Sequence, residues 1–140
     1  MVVDACVWIA AFMAREPHHL ESMELVRQLA KLRPRVILPT LALAEVVGAI
    51  ARRSDSTEVA PAIRQFLLTE TWIEQSSIDV VLGGEAASIA MRFRLRGADA
   101  VYVALAATRR VPLITLDTEM LERARDVAEV LTPEQWLQTH

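Results

Sequence analysis

Short apolar segments with strand composition alternate along the chain with longer helix-like segments, and this alternation most constrains the fold. Because strands that are apolar on both sides must be covered on both faces, the pattern predicts an α/β fold, a three-layer α/β/α sandwich with a central parallel sheet. We expect one domain over residues 1–140. The predicted strands are 1–3, 35–38, 71–78, 111–116 and 127–131. The predicted helices are 5–14, 20–32, 40–53 with Thr40 as its cap, 58–68, 79–95, 99–110, 118–125 and 133–137.

The composition favours a folded cytoplasmic protein. Apolar residues make up 53% of the 140, which excludes a largely disordered chain, and the net charge of −3 does not indicate a nucleic-acid binder. Cys6 is the only cysteine, so no internal disulfide can form. The N-terminus lacks a basic lead-in, and no segment reaches the roughly 20 apolar residues of a membrane span. We therefore expect no signal peptide and no membrane contact.

The segment LALAEVVGAI, residues 41–50, places one carboxylate in the middle of an otherwise apolar helix. A lone ionised carboxylate on a helix buried on most sides costs several kcal/mol or takes up a proton. The nearest arginines, Arg52 and Arg53, lie beyond the reach of an i to i+4 pair with Glu45. Glu45 is therefore expected to face a cationic partner from elsewhere in the fold or a metal ion.

Three aspartates stand at the ends of predicted elements. Asp4 ends the first strand, Asp117 ends the strand VPLITL, and Asp99 begins the helix DAVYVALAA. Ligands of an open parallel sheet collect beyond the carboxyl ends of its strands, so these aspartates and Glu45 are predicted to converge there. Each residue also has a structural alternative: a helix N-cap for Asp4 or Asp99, a turn or cap for Asp117, and a buried ion pair for Glu45.

Four carboxylates at close range repel one another, and a divalent cation removes that conflict. The ligand set contains only oxygen, which favours Mg²⁺ or Mn²⁺ over zinc. Such an ion can generate a hydroxide and neutralise the charge of a phosphodiester under attack. The residues thus indicate metal-assisted phosphodiester hydrolysis, with the same four residues as catalytic and metal-binding groups: Asp4, Glu45, Asp99 and Asp117.

Four segments that contain these acids resemble the blocks of the PIN domain family. They are VVDACVWIA, LPTLALAEVVGAIARR, AASIAMRFRLRGADAVYVALAA and VPLITLDTEMLERA. The size of the chain resembles that of the toxin in VapBC-type toxin–antitoxin pairs. The resemblance implies a Mg²⁺- or Mn²⁺-dependent endoribonuclease with RNA as its substrate, in which the four acids hold the metal and position the attacking water. It also implies a small antitoxin partner and a homodimer.

Several positions near the acids bear on the resemblance. The family usually carries a small hydroxyl or amide residue two positions after its first aspartate, where this chain has Cys6, a weaker hydrogen-bond donor. Thr115 matches a hydroxyl residue that the family often carries before its last aspartate. It is predicted to orient a metal-bound water, or else to serve as a β-branched strand residue. Three alternating arginines precede Asp99: Arg92, Arg94 and Arg96. They are predicted either to line the path by which RNA approaches the site or to form a solvated helix end.

Three functions stay open at this level. The first is a divalent-metal-dependent endoribonuclease that acts as the toxin of a toxin–antitoxin pair. The second is a catalytically silent PIN-like module that binds RNA or protein, as Cys6 and the acidic net charge suggest. The third is a small phosphohydrolase on another α/β scaffold, which is disfavoured because no second aspartate follows two places after Asp4.

Overall fold

The computed structural model describes residues 1–139, which contain five strands and eight helices in the predicted order. The strands are β1 Val2–Val3, β2 Val36–Pro39, β3 Ile73–Ser76, β4 Leu113–Ile114 and β5 Val130–Leu131. The helices are α1 Ala5–Phe12, α2 His19–Leu32, α3 Thr40–Arg53, α4 Val59–Thr69, α5 Val80–Phe93, α6 Gly97–Arg109, α7 Thr118–Arg123 and α8 Pro133–Thr139. The boundaries differ from the predicted ones by a few residues.

The strands form one parallel sheet in the order β3-β2-β1-β4-β5. Val2 of β1 pairs with Ile37 on one side and with Leu113 on the other, so β1 is the central strand. The chain builds β2 and β3 on one side of β1 and then β4 and β5 on the other. In an open parallel sheet, such a reversal of strand order opens a crevice at the carboxyl ends of the two central strands.

Helices pack on the sheet in the predicted three-layer α/β/α arrangement. Helix α6 packs against β1, β2 and β4 and against α5, whereas α1 packs on α2 and α3, and α3 packs on α4. The central strands are fully buried, which explains their uninterrupted apolar sequences. Within residues 1–139, no helix has the length and apolar character that crossing a membrane requires.

Two helices begin differently from the prediction. Thr40 does not cap α3: it is the first helical residue, because β2 runs without a loop through Pro39, which takes the cap position in an extended conformation. Helix α6 begins at Gly97, since Arg96 is the extended residue before it. Asp99 therefore lies inside the first turn of α6, and the alternative in which it serves as the N-cap is wrong.

Candidate active site

The four predicted acidic residues line one cleft at the carboxyl edge of the sheet. The cleft has a volume of about 550 Å³. Asp4 directly follows β1 and Asp117 lies just beyond β4, so two adjacent strands deliver both side chains to the same edge. Glu45 comes from the second turn of α3, and Asp99 comes from the first turn of α6. Four separate elements thus bring the four carboxylates together.

Asp4 is held by two side-chain donors at the base of the cleft. It is 5% exposed, and its Oδ2 accepts hydrogen bonds from Thr115 Oγ1 at 2.6 Å and from Cys6 Sγ at 2.8 Å. Asp4 occupies the cap position of α1, but its side chain makes no capping hydrogen bond. Burial raises the pKa of its carboxyl above the ordinary value, while the two donors lower it and the charge of Asp99 raises it further.

Thr115 is fully buried, and its hydroxyl connects two of the acidic residues. The hydroxyl donates to Asp4 and accepts from the backbone N–H of Asp117 at 3.0 Å. These contacts make Thr115 a positioning residue for the Asp4 carboxylate. Its predicted role in orienting a water molecule stays a prediction.

Cys6 takes part in the same network through its thiol. The thiol donates to Asp4, and its sulfur accepts from the backbone N–H of Leu116 at 3.3 Å. Burial, followed by the charge of Asp4, raises the pKa of Cys6 well above its ordinary value. The thiol therefore stays protonated at neutral pH and acts as the donor that a hydroxyl or amide would otherwise supply.

Glu45 is bonded to a tyrosine and not to an arginine. Its Oε2 accepts a hydrogen bond of 2.6 Å from the hydroxyl of Tyr102, which is 1% exposed. Among residues 1–139 Glu45 has no ion-pair partner, so the alternative of a structural ion pair is wrong. Burial raises the pKa of Glu45, the Tyr102 bond opposes that change, and the charges of Asp4 and Asp99 add to it.

Asp99 and Asp117 share one arginine. Arg96 donates through Nε to Asp99 Oδ2 at 2.7 Å and through a terminal nitrogen to Asp117 Oδ2 at 2.8 Å. Burial raises the pKa of Asp99, and Arg96 opposes this change. The other oxygen of Asp117 accepts from the backbone N–H of Met120 at 3.0 Å, so Asp117 does cap α7 and both of its oxygens are engaged.

The donor set of the cleft fits a divalent cation in its chemistry. All four groups are carboxylates, which hard ions such as Mg²⁺ and Mn²⁺ prefer, and the pKa shifts at Asp4, Glu45 and Asp99 include repulsion between carboxylates. Within the part of the chain that the structure describes, no group of three or more acidic, histidine or cysteine side chains is close enough together to coordinate a metal ion. Binding a cation would therefore need these side chains to move closer together, and at Asp117 the cation would compete with Arg96, because Arg96 engages Oδ2 and the Met120 N–H engages Oδ1.

Positive side chains flank the acids. Arg52, Arg53 and Arg96 line the cleft. Arg92 packs over the ring of Phe93 at 4.9 Å from its centre, and Arg94 is the C-cap residue of α5. Of the three alternating arginines that the sequence singles out, only Arg96 lines the cleft.

Two residues of the cleft were not predicted from the sequence. They are Tyr102, which bonds to Glu45, and Arg52, whose side chain lines the cleft. Tyr102 follows Asp99 by three residues, a spacing that places both on one face of a helix, and this signal was present in the sequence. A tyrosine within an apolar helix nevertheless has the pattern of a core residue. Its partner Glu45 lies 57 residues away in the chain.

Comparisons with known proteins agree with this architecture. The family model described as PIN domain matches residues 1–126. No curated protein sequence matches the chain significantly. Among solved structures, VapC20 of Mycobacterium tuberculosis, a sarcin–ricin loop cleaving toxin, superposes with a TM-score of 0.71 at 17% identity and covers 86% of this chain and 92% of its own.

Two further structures have the same fold. A toxin–antitoxin complex from Klebsiella pneumoniae gives a TM-score of 0.70 at 18% identity, covering 94% of this chain and 96% of the matched chain. FitAcB from Neisseria gonorrhoeae gives 0.70 at 16% identity, with coverages of 95% and 97%. At these identities the likeness concerns the fold alone.

Proposed function

The chain belongs to the PIN domain family, and from this membership and its acidic cleft we propose that it is a divalent-metal-dependent endoribonuclease. The observation that carries the proposal is the convergence of four carboxylates from four separate elements on one cleft: Asp4, Glu45, Asp99 and Asp117. The structural neighbour VapC20 is a toxin that cleaves the sarcin–ricin loop, which supports RNA as the substrate.

The four carboxylates would hold Mg²⁺ or Mn²⁺, with two of them pre-oriented by the protein. When bound, the cation lowers the pKa of a water molecule and offsets negative charge on the phosphodiester. Thr115 and Cys6 occupy Oδ2 of Asp4, so Oδ1 is the oxygen that no side chain engages. Tyr102 likewise engages only Oε2 of Glu45. Each of these bonds limits the rotation of a carboxylate before the substrate arrives.

Glu45 is our candidate for the residue that receives the proton lost by the attacking water. A general base works best when its pKa lies close to the operating pH, and burial raises the pKa of Glu45 in that direction. Its Oε1, which is not bonded to Tyr102, would accept the proton, so Glu45 would reach the cation through this water molecule and not directly. Water then adds to phosphorus as a hydroxide equivalent, the bond from phosphorus to the leaving ribose oxygen breaks, and that oxygen takes up a proton from the solvent.

The decisive experiment is cleavage of RNA by the purified protein with Mg²⁺ or Mn²⁺. Asp4→Asn, Asp99→Asn and Asp117→Asn keep the size of the side chain but remove its charge, and we expect each to slow cleavage at least about 100-fold. Asp55→Asn is the matched control, because Asp55 is exposed in the loop before α4. The proposal is wrong if the three cleft variants cut RNA as fast as the parent protein does.

We further propose that the protein is a toxin held inactive by a small antitoxin. The fold shared with a toxin–antitoxin complex from Klebsiella pneumoniae supports this assignment, and a homodimer and a cytoplasmic location stay predictions alongside it. Growth arrest on expression, relieved by co-expression of a short neighbouring gene and abolished by Asp4→Asn, is the expected result. Light scattering of the purified protein tests the dimer.

The second candidate function is a catalytically silent PIN module that binds RNA or protein. The contact that favours it is Arg96, which already neutralises Asp99 and Asp117. Calorimetric titration with Mn²⁺ separates the two functions. A binding signal that disappears in Asp4→Asn supports the nuclease, whereas RNA binding without any binding of divalent ions supports the silent module.

A further inference from the structure

We propose that Arg52 binds a phosphate group of the RNA strand at the edge of the acidic cleft. The inference rests on the proposed ribonuclease function and adds a substrate-binding residue to it. Arg52 lies in the last turn of α3, the helix that also carries Glu45, and its side chain lines the same cleft as the four carboxylates.

Arg52 differs from the other two arginines of the cleft in having no internal partner. Arg96 is bonded to Asp99 and Asp117, and Arg53 donates to Glu16 at 2.8 Å. Within residues 1–139, Arg52 makes no side-chain hydrogen bond and no ion pair. Its guanidinium is therefore the positive group of the cleft that remains available to an anion from outside.

The position of Arg52 on α3 directs it towards the acids. Arg52 follows Glu45 by seven positions, which is close to two helical turns and places both on one face. Arg52 Nη1 lies 3.2 Å from the place where a Cβ of residue 48 would stand, and Gly48 has none. The guanidinium thus lies back along the helix over Gly48, roughly one turn from the level of Glu45.

The charges of the cleft favour an unpaired positive group for binding RNA. Four carboxylates repel a polyanionic strand, and the charges of Arg96 and Arg53 are already engaged by acids of the protein. A guanidinium offers a planar pair of donors that fits two phosphate oxygens at once. One unpaired arginine beside the carboxylates would therefore hold a phosphate next to the one that is cleaved.

A purely structural role for Arg52 makes a different prediction. A basic residue in the last turn of a helix interacts favourably with the helix dipole. In that case, removing Arg52 would lower the stability of α3 slightly and would leave the affinity for RNA unchanged. RNA affinity and its salt dependence therefore distinguish the two roles.

The test measures binding of a fluorescein-labelled single-stranded oligouridine by fluorescence anisotropy in EDTA, so that no cleavage occurs, at several concentrations of KCl. For Arg52→Ala we expect a dissociation constant raised roughly five- to twentyfold and a salt slope reduced by about 0.7. The dissociation constant of Arg52→Lys should lie between those of the parent protein and Arg52→Ala, because lysine keeps the charge but not the paired donors. Cleavage kinetics with Mn²⁺ should show a raised KM and a nearly unchanged kcat.

Arg64→Ala is the matched control, because Arg64 is an exposed arginine on α4 that lines a different cavity. If Arg52→Ala and Arg64→Ala bind RNA equally well while the parent protein binds and cleaves it, the inference is overturned and the ribonuclease proposal stands. A parent protein that neither binds nor cleaves RNA overturns both. Should Arg52→Ala fail to fold, the comparison of Arg52→Lys with the parent decides in the same way.

Discussion

The hydrogen bond between Tyr102 and Glu45 can be removed with little change in shape. Tyr102→Phe deletes one hydroxyl that is buried against the Glu45 carboxylate at 2.6 Å and leaves the ring in place on α6. The variant therefore removes one charge-assisted hydrogen bond from the cleft, together with the interaction between the Tyr102 oxygen and the backbone of Ala5.

The expected loss follows from the burial of the two partners. A hydrogen bond to a charged group contributes about 1.5–3 kcal/mol to the free energy of unfolding. Because Glu45 is only partly buried, water can solvate the oxygen that loses its hydrogen bond, and this solvation offsets part of the lost free energy. We therefore expect Tyr102→Phe to lower the free energy of unfolding by about 1–1.5 kcal/mol, which corresponds to a fall in Tm of about 3–6 °C for a domain of this size.

Urea unfolding followed by circular dichroism measures this change, with an unaltered m value as the sign that the folded state is intact. A double-mutant cycle with Glu45→Ala separates the bond from other effects of each substitution, and we expect a coupling energy of about 1 kcal/mol. A Tyr102→Phe variant as stable as the parent protein would contradict this expectation, and so would losses of stability that simply add in the double variant.

Three further predictions concern charge and protonation. Arg96→Gln should tighten Mn²⁺ binding in calorimetry by roughly two- to tenfold, because two exposed ion pairs then no longer compete with the ion; equal or weaker binding contradicts this. Iodoacetamide should alkylate Cys6 at pH 8 at least about tenfold more slowly in the folded than in the unfolded protein, and Asp4→Asn should accelerate the folded reaction, as mass spectrometry can show. The hydrogen bond from Arg35 lowers the pKa of Glu74 in the folded protein. The ionised Glu74 side chain therefore stabilises the fold at pH values above its pKa in the unfolded chain. This stabilisation is lost as the pH falls through the pKa of Glu74 in the folded protein. The urea midpoints of the parent protein and Glu74→Gln should therefore differ at pH 7, and the difference should decrease as the pH is lowered. A difference that does not change with pH would contradict the assignment.

Local sequence patterns were enough to predict the order of the elements and the four carboxylates that line the cleft, and the catalytic role of these carboxylates stays a prediction. Both are local properties: apolar periodicity distinguishes strands from helices, and a carboxylate such as Glu45 is conspicuous within an apolar helix. The position of Asp4 and Asp117 after predicted strands was enough to place them at one edge, because parallel strands end on the same side. The start of α6 was misplaced by two residues, since the extended conformation of Arg96 has no clear local signature.

The group that each carboxylate contacts depends on how distant parts of the chain pack together. Thr115 reaches Asp4 across 111 residues, and Tyr102 reaches Glu45 across 57. Such contacts depend on strand order and on how α6 packs against the sheet. Neither can be predicted from a short segment of the sequence. The same holds for the arginines: Arg52 and Arg53 are adjacent in sequence, yet only Arg53 finds an acidic partner, because their side chains leave the helix in directions about 100° apart.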